Sequence, residues 1–177
     1  MIAYRHADRR YPFLREVAST QAGRWHDAGE LTHYFADTPD GAWAEFLRHE
    51  EIDDSLDVLT ISRAIWAVEI GEIPSLNPNL PRAVLTGDEA LHLNLCRRFS
   101  RKARNTAEGL TAPSAALKSG SAHGWRVDGG IKSGPLRDGL IIVLFGPQPG
   151  LVGWVAAIEG RPGEELLRAV RHFQSDM

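Results

Sequence analysis

At 177 residues, 43% hydrophobic and 24% charged, the chain has the size and composition of one folded domain over residues 1–177, not of a disordered tail. A formal net charge of −3 argues against a nucleic-acid binder, and the single cysteine, Cys96, excludes an intramolecular disulfide and fits a reducing compartment. No signal peptide is visible behind Met1, and the longest apolar run, residues 140–145, is far too short to span a bilayer. The expectation is a soluble, cytoplasmic protein that engages neither membrane nor nucleic acid.

Residues 2–5 read as a short strand, followed by an arginine-rich loop. Residues 31–36 have the aromatic and β-branched content of a second strand, with Leu31, His33 and Phe35 on one face and Thr32, Tyr34 and Ala36 on the other. Asp37-Thr38-Pro39 stops it and starts a helix over residues 39–51, with Thr38 as cap and Pro39 at the first helical position. At 100° per residue Ala42, Trp43, Phe46 and Leu47 form its apolar arc; Glu45 falls at the edge of that arc and Glu50 nearer its middle.

Residues 58–70 read as strand and 76–80 as loop. Thr86-Gly87-Asp88-Glu89 matches a capping box opening a helix to about residue 107, with Leu91, Leu95 and Phe99 along it. A strand is expected around Pro113-Ser114, an exposed Gly- and Ser-rich loop over 118–139, buried strands over 140–145 and 151–158, and a helix from about Pro162. This mixture without a βαβ rhythm favours an α+β fold.

Charge segregates along the chain. Residues 1–24 carry Arg5, Arg9, Arg10, Arg15 and Arg24, whereas residues 37–57 set Arg48 against eight carboxylates, Glu45 among them. Either the surface signs simply separate, or a basic wall for an anionic ligand faces a helix that supplies a carboxylate.

The common catalytic motifs are missing: there is no Walker loop, no GxGxxG after a strand, no Gly-x-Ser-x-Gly elbow and no HExxH or paired metal-ligand spacing, so no metal is expected. Cys96 reads as a packed helical cysteine. The remaining candidates are Arg24, whose guanidinium can fork onto phosphate oxygens beside Gly23 and Trp25, and Tyr34, Glu45 and Ser114. Each has an ordinary alternative: a surface arginine beside a core tryptophan, a core tyrosine, a solvated glutamate, a capping serine.

Their combination resembles the RES domain family. The matching stretches are Tyr4-Arg5, AGRWHDAG at 22–29, THYFAD at 32–37, the helix at 42–51 and GLTAPSAAL at 109–117. The resemblance implies an ADP-ribosyltransferase-like split β core with flanking helices, and a toxin of a toxin–antitoxin pair whose partner is an Xre-type antitoxin. It further implies that NAD is the substrate, cleaved at the nicotinamide–ribose bond with phosphate or water as acceptor. A protein mono-ADP-ribosyltransferase and a non-catalytic NAD-binding module are the alternatives. By position, Glu45 would be the catalytic carboxylate, assisted by Arg24 and Tyr34. Arg5, Arg24, Trp25, Tyr34 and Ser114 would hold the ligand. Two departures stand out: the usual GGRWN is AGRWH, with Ala22 and His26, and a Gly- and Ser-rich segment follows Ser114.

Overall fold

Two antiparallel half-sheets meet at a single residue pair, and the helices carrying the candidate chemistry lie on one side of that junction. The computed structural model describes residues 1–72, 74 and 76–173. In chain order the elements are β1 (Ile2–Ala7), β2 (Thr32–Ala36), α1 (Pro39–His49), α2 (Ser55–Leu59), β3 (Arg63–Glu69), α3 (Arg82–Thr86), α4 (Ala90–Ala103), β4 (Gly109–Pro113), β5 (Trp125–Val127), β6 (Ile131–Ser133), β7 (Leu140–Phe145) and β8 (Val152–Gly160), then a 3-10 turn over Glu164–Ala169.

The large sheet runs β4-β7-β2-β1-β3-β8. β1 pairs with β3 from Ile2↔Glu69 to Ala7↔Ala64, and β2 pairs with β7 from Thr32↔Phe145 to Ala36↔Ile141. Between β1 and β2 the one registered pair is Tyr4↔Ala36. The sheet is therefore two three-stranded halves hinged near Tyr4. The pleat sends successive side chains to opposite faces. Tyr4 and Ala36 meet the core around Trp43, Phe46 and Leu47 of α1, while Tyr34, Leu110 and Val143 meet the core around Cys96 and Phe99 of α4. Ala3, Phe35, Val68 and Ile142 form a smaller core on the other face.

The expected start of α1 is realised. Thr38 Oγ1 accepts from Gly41 N at 3.0 Å, Pro39 sits in the first turn, and Ala42, Trp43, Phe46 and Leu47 are buried.

Several other expectations change. The strand read over 58–70 begins only at Arg63, because Asp54 accepts from Leu56 N and caps α2, a local bond that overrides the β-branched content. The capping box at 86–89 does not form: Thr86 belongs to α3 and donates to Arg82 O, and α4 starts behind Glu89 with no side-chain cap. The loop over 118–139 contains the exposed β5–β6 hairpin, turned through Gly129 and Gly130 at φ 61° and 140°. β7 is buried as expected, but β8 leaves it to become the exposed edge beside β3. Behind Pro162 the chain makes the 3-10 turn in place of a helix, and Val170 then bridges to Leu117. Among the described residues no helix is long and apolar enough to cross a membrane.

Candidate active site

Glu45 points from α1 towards the segment that follows β4. Ser114 lies there, immediately past Pro113, which ends the strand. Its Oγ accepts from Ala116 N at 3.1 Å and from Leu117 N at 3.2 Å, so its own proton is directed to Glu45 Oε1 at 3.1 Å. The serine thus caps a backbone turn and holds the carboxylate. Glu45 is partly buried. Burial pushes its carboxyl above the usual carboxylate range, opposed by the Ser114 hydrogen bond, the charges of Arg48 and Arg24, and the Ala116 N–H.

Arg48 sits one turn along α1 on the same side, as three-residue spacing requires. It is 5% exposed, donates to Ala115 O and Asp88 Oδ1, and lies over the Phe173 ring at 4.7 Å. Burial lowers its pKa, with Asp88 and Glu45 acting against that shift. Arg24 Nη2 reaches the same Asp88 oxygen at 3.3 Å, and its Nη1 donates to Val84 O at 3.3 Å. Arg171 Nη1 donates to the Ala115 carbonyl at 3.4 Å. Three guanidiniums and two carboxylates are thereby gathered from distant parts of the chain.

Arg24 is placed by its neighbours. Trp25 is 1% exposed, edge-on to Phe99, and its carbonyl accepts from Ser100 Oγ of α4. With its ring packed in the core, Trp25 anchors the segment that presents Arg24 and offers no open face to a ligand. Trp25 N donates to the Tyr34 hydroxyl oxygen at 3.1 Å.

His26, where the motif departs from its usual form, completes this network. Its Nε2 faces Gln21 O at 3.1 Å, and a carbonyl only accepts, so Nε2 carries the proton. Burial lowers the pKa of the ring and keeps it neutral, so Nδ1 accepts from the Tyr34 hydroxyl at 2.7 Å. Gly23 makes room for this stack: a Cβ there would overlap His26 Cε1 and lie 3.0 Å from the Tyr34 oxygen. Burial drives the Tyr34 phenol well above its ordinary pKa, so it stays protonated, near enough to Glu45 and Arg24 to sense both charges.

Five of the six candidates, Arg24, Trp25, Tyr34, Glu45 and Ser114, therefore occupy one connected region. Arg5 does not join it. The β1 pleat turns Arg5 away from α1, while Tyr4 and His6 face that helix. Its guanidinium lies 5.8 Å from the Phe35 ring centroid on the other face, with Nη1 buried and lacking a hydrogen-bond partner among the described residues. Burial and the nearby Arg15 lower its pKa to about 10.

Sequence reasoning passed over Arg48, Asp88 and Arg171. Arg48 had a signal in its spacing from Glu45; the other two had none, because only the tertiary fold brings them there. Glu50, the other carboxylate considered on α1, is exposed at the C-cap beside His49. No group of His, Cys, Asp and Glu able to hold a metal occurs among the described residues. Surface cavities of about 630 and 540 Å³ lie away from Glu45, the first between residues 53–55 and 164–168.

No curated protein matches the chain in sequence. Among solved structures, a chain of the M. tuberculosis MbcT-MbcA toxin-antitoxin complex aligns over 94% of this chain and 86% of its own length, with a TM-score of 0.61 and 16% identity. At that identity the likeness shows a shared fold and nothing of activity. The RES domain model matches residues 2–125, which contain all six candidate residues. With well over half its length matched, the chain belongs to the RES domain family.

Proposed function

We propose that this protein is the toxin of a toxin–antitoxin pair and cleaves NAD at the nicotinamide–ribose bond, transferring the ADP-ribosyl group to phosphate or water. The observation that carries the reading is the Glu45 carboxylate, held by the Ser114 hydroxyl in a water-poor position beside Arg24 and Arg48. Membership of a family whose members act on NAD supports it. The division of the sheet into two half-sheets supports the ADP-ribosyltransferase-like architecture.

The chemistry suits these groups. Nicotinamide is cationic in NAD and departs with the bonding pair as a neutral ring, so no strong general acid is required. The difficult point is the oxocarbenium-like ribosyl centre, as in glycoside cleavage. Glu45 stabilises that charge and can accept a hydrogen bond from a ribose hydroxyl, an effect strongest away from bulk water. Arg24 holds the diphosphate and converts remote binding into orientation of the sugar. Tyr34, fixed by His26 and Trp25, lines the nicotinamide end. A phosphate oxygen attacking C1′ yields ADP-ribose 1″-phosphate; water yields ADP-ribose and a proton.

The family resemblance assigns Arg5 to the same ligand although it lies on the other face of the sheet, and its buried, unpartnered Nη1 is the one feature that supports that assignment. An antitoxin protein, of the Xre type that the family implies, is the proposed partner, and the cytoplasm is the proposed compartment.

The test is nicotinamide release from NAD by the purified protein, with and without phosphate. Stimulation by phosphate identifies a phosphorylase, equal release without it a glycohydrolase. No release under either condition refutes the proposal.

A further inference from the structure

The arginines around Glu45 are already met by a carboxylate of the chain. Asp88 Oδ1 accepts from both Arg48 and Arg24, and it is the one carboxylate that hydrogen-bonds to either among the described residues. Arg171 feels the charges of Arg82, Asp88, Arg24 and Asp138 and shares the Ala115 carbonyl with Arg48. With Asp88 withdrawn, Arg24, Arg48, Arg171 and Arg82 would be met by Glu45 and Asp138, a surplus of two positive charges. A diphosphate carries a matching pair of negative ones.

A second observation concerns what Asp88 leaves undone. Asp is among the best N-cap residues, and Asp88 stands immediately before the N-cap of α4, a helix of 14 residues. Among the described residues no side chain caps that helix, because Asp88 turns to the arginines and Thr86 bonds back within α3. The short connection over 87–89 lies between the two helices, and the Asp88 side chain is 32% exposed, so the carboxylate is at the rim of the cluster and not beneath it.

We propose that Asp88 is an internal stand-in for a ligand phosphate: it occupies the Arg24–Arg48–Arg171 cluster until a phosphorylated ligand displaces it, and then caps the N-terminus of α4. The proposal rests on the Glu45 region being the ligand site, and it adds the identity of the subsite and of the group that closes it. A guanidinium fork matches phosphate oxygens at least as well as a single carboxylate oxygen. The displaced carboxylate keeps favourable partners at the positive end of α4. Phosphate-free nucleosides gain nothing from the exchange, so the device favours diphosphate ligands. It also lowers the apparent affinity of every such ligand by the fraction of molecules in which Asp88 is withdrawn.

The test is calorimetric titration of wild type and Asp88→Asn with pyrophosphate, ADP-ribose and, as a phosphate-free control, adenosine. Removing the resident charge should raise affinity for pyrophosphate and ADP-ribose by ~10-fold or more and leave adenosine unchanged. Adding Arg171→Gln should reverse the gain. In wild type, pyrophosphate should slow hydrogen exchange at the amides of residues 90–92, the first turn of α4, which is a readout independent of whether the variant folds. Unchanged or weaker pyrophosphate affinity in folded Asp88→Asn overturns the proposal, and so does the absence of slowed exchange in wild type. Because both measurements read binding and not turnover, nicotinamide release can fail while these succeed, and the two readings are judged separately.

Discussion

Ser114→Ala isolates the group that connects the backbone turn after β4 to the proposed catalytic carboxylate. The substitution removes the acceptor of two N–H groups, those of Ala116 and Leu117, and the donor to Glu45 Oε1. Both N–H groups belong to buried residues. Leaving a buried donor unpaired costs ~1–3 kcal/mol, and partial relaxation of the turn brings the pair to about 2–4 kcal/mol. For a chain of this length each kcal/mol shifts the melting temperature by roughly 2–4 °C, so a fall of about 5–15 °C is expected.

The effect on chemistry is separate. A hydrogen bond to a charged group is worth ~1.5–3 kcal/mol, which corresponds to roughly 10–100-fold in rate if it matters fully in the transition state. Ser114 is also the largest influence holding the Glu45 carboxyl down against burial. Without it the carboxyl moves further up, and the acidic limb of the pH–rate profile moves to higher pH. The assay is nicotinamide release as a function of pH, well below the melting temperature of the variant, with Glu45→Gln and the double variant alongside. If Ser114 acts through Glu45, Ser114→Ala costs little when added to Glu45→Gln. A variant that loses stability yet keeps the wild-type acidic limb and rate would refute this role and leave Ser114 a purely structural cap.

Glu45→Gln removes a carboxylate whose folded pKa is raised by burial, so the stability that Glu45 contributes is present below the unfolded carboxylate value and lost as pH rises through the folded value. The variant should therefore melt above wild type at neutral pH, the difference closing on acidification, while turnover falls ~10²–10³-fold; calorimetry across pH that found it less stable at neutrality would contradict the linkage. Gly23→Ala drives a Cβ into the His26 ring, which is pinned between Tyr34 and the Gln21 carbonyl. A loss of about 1–3 kcal/mol in denaturant unfolding, with reduced turnover through the adjacent Arg24, is expected; unchanged stability would mean that the ring moves freely. Arg5→Gln removes a buried cation with an unpartnered nitrogen. If Arg5 meets the ligand, affinity for ADP-ribose drops about 10-fold or more with no loss of melting temperature, since losing one phosphate contact from a guanidinium is worth a few kcal/mol at most. An unchanged affinity assigns Arg5 to the fold alone.

Local signals were readable where local physics governs. Thr38, Pro39 and the spacing of Ala42, Trp43, Phe46 and Leu47 specify α1 within a few bonds of the chain, and the position of Glu45 at the edge of that arc follows from the same geometry. β2 was readable for the same reason, including Tyr34 facing away from Phe35. The failures occur where a distant partner outcompetes a local one. Thr86-Gly87-Asp88-Glu89 spells a cap, but Asp88 takes two arginines that lie 64 and 40 residues earlier. The β8 sequence looks buried because it is rich in apolar residues, but β8 is an edge strand on which Trp154, Val155 and Ile158 are exposed, and composition carries no signature of edge position. Arg5 and Glu45 share a motif but not a face, because strand alternation separates side chains that sequence order alone would group together.

The boundary of the family match bears on how this site works. The RES model ends at residue 125, yet two of the side chains that close the cluster come from beyond it. Arg171 binds the Ala115 carbonyl, next to Ser114 in the chain, and the Phe173 ring, 43% exposed, covers the Arg48 guanidinium at 4.7 Å. Both follow Val170, which is fully buried and bridged to Leu117, so the terminal segment is docked by a core residue before it reaches the arginines. The shared part of the chain thus supplies the carboxylate, the serine and the first two arginines, and the part outside the match supplies the cover over Arg48 and a third positive charge. Differences in ligand affinity between this chain and other members of the family are expected to map to residues 170–173 and to Asp88, which shares their arginine cluster, and not to Glu45 or Ser114. Exchanging the segment after Val170 should change binding of a diphosphate probe more than it changes the pH dependence set by Glu45, because Arg171 and Phe173 act on the arginine cluster while, among the described residues, Ser114 alone hydrogen-bonds the carboxylate from a side chain.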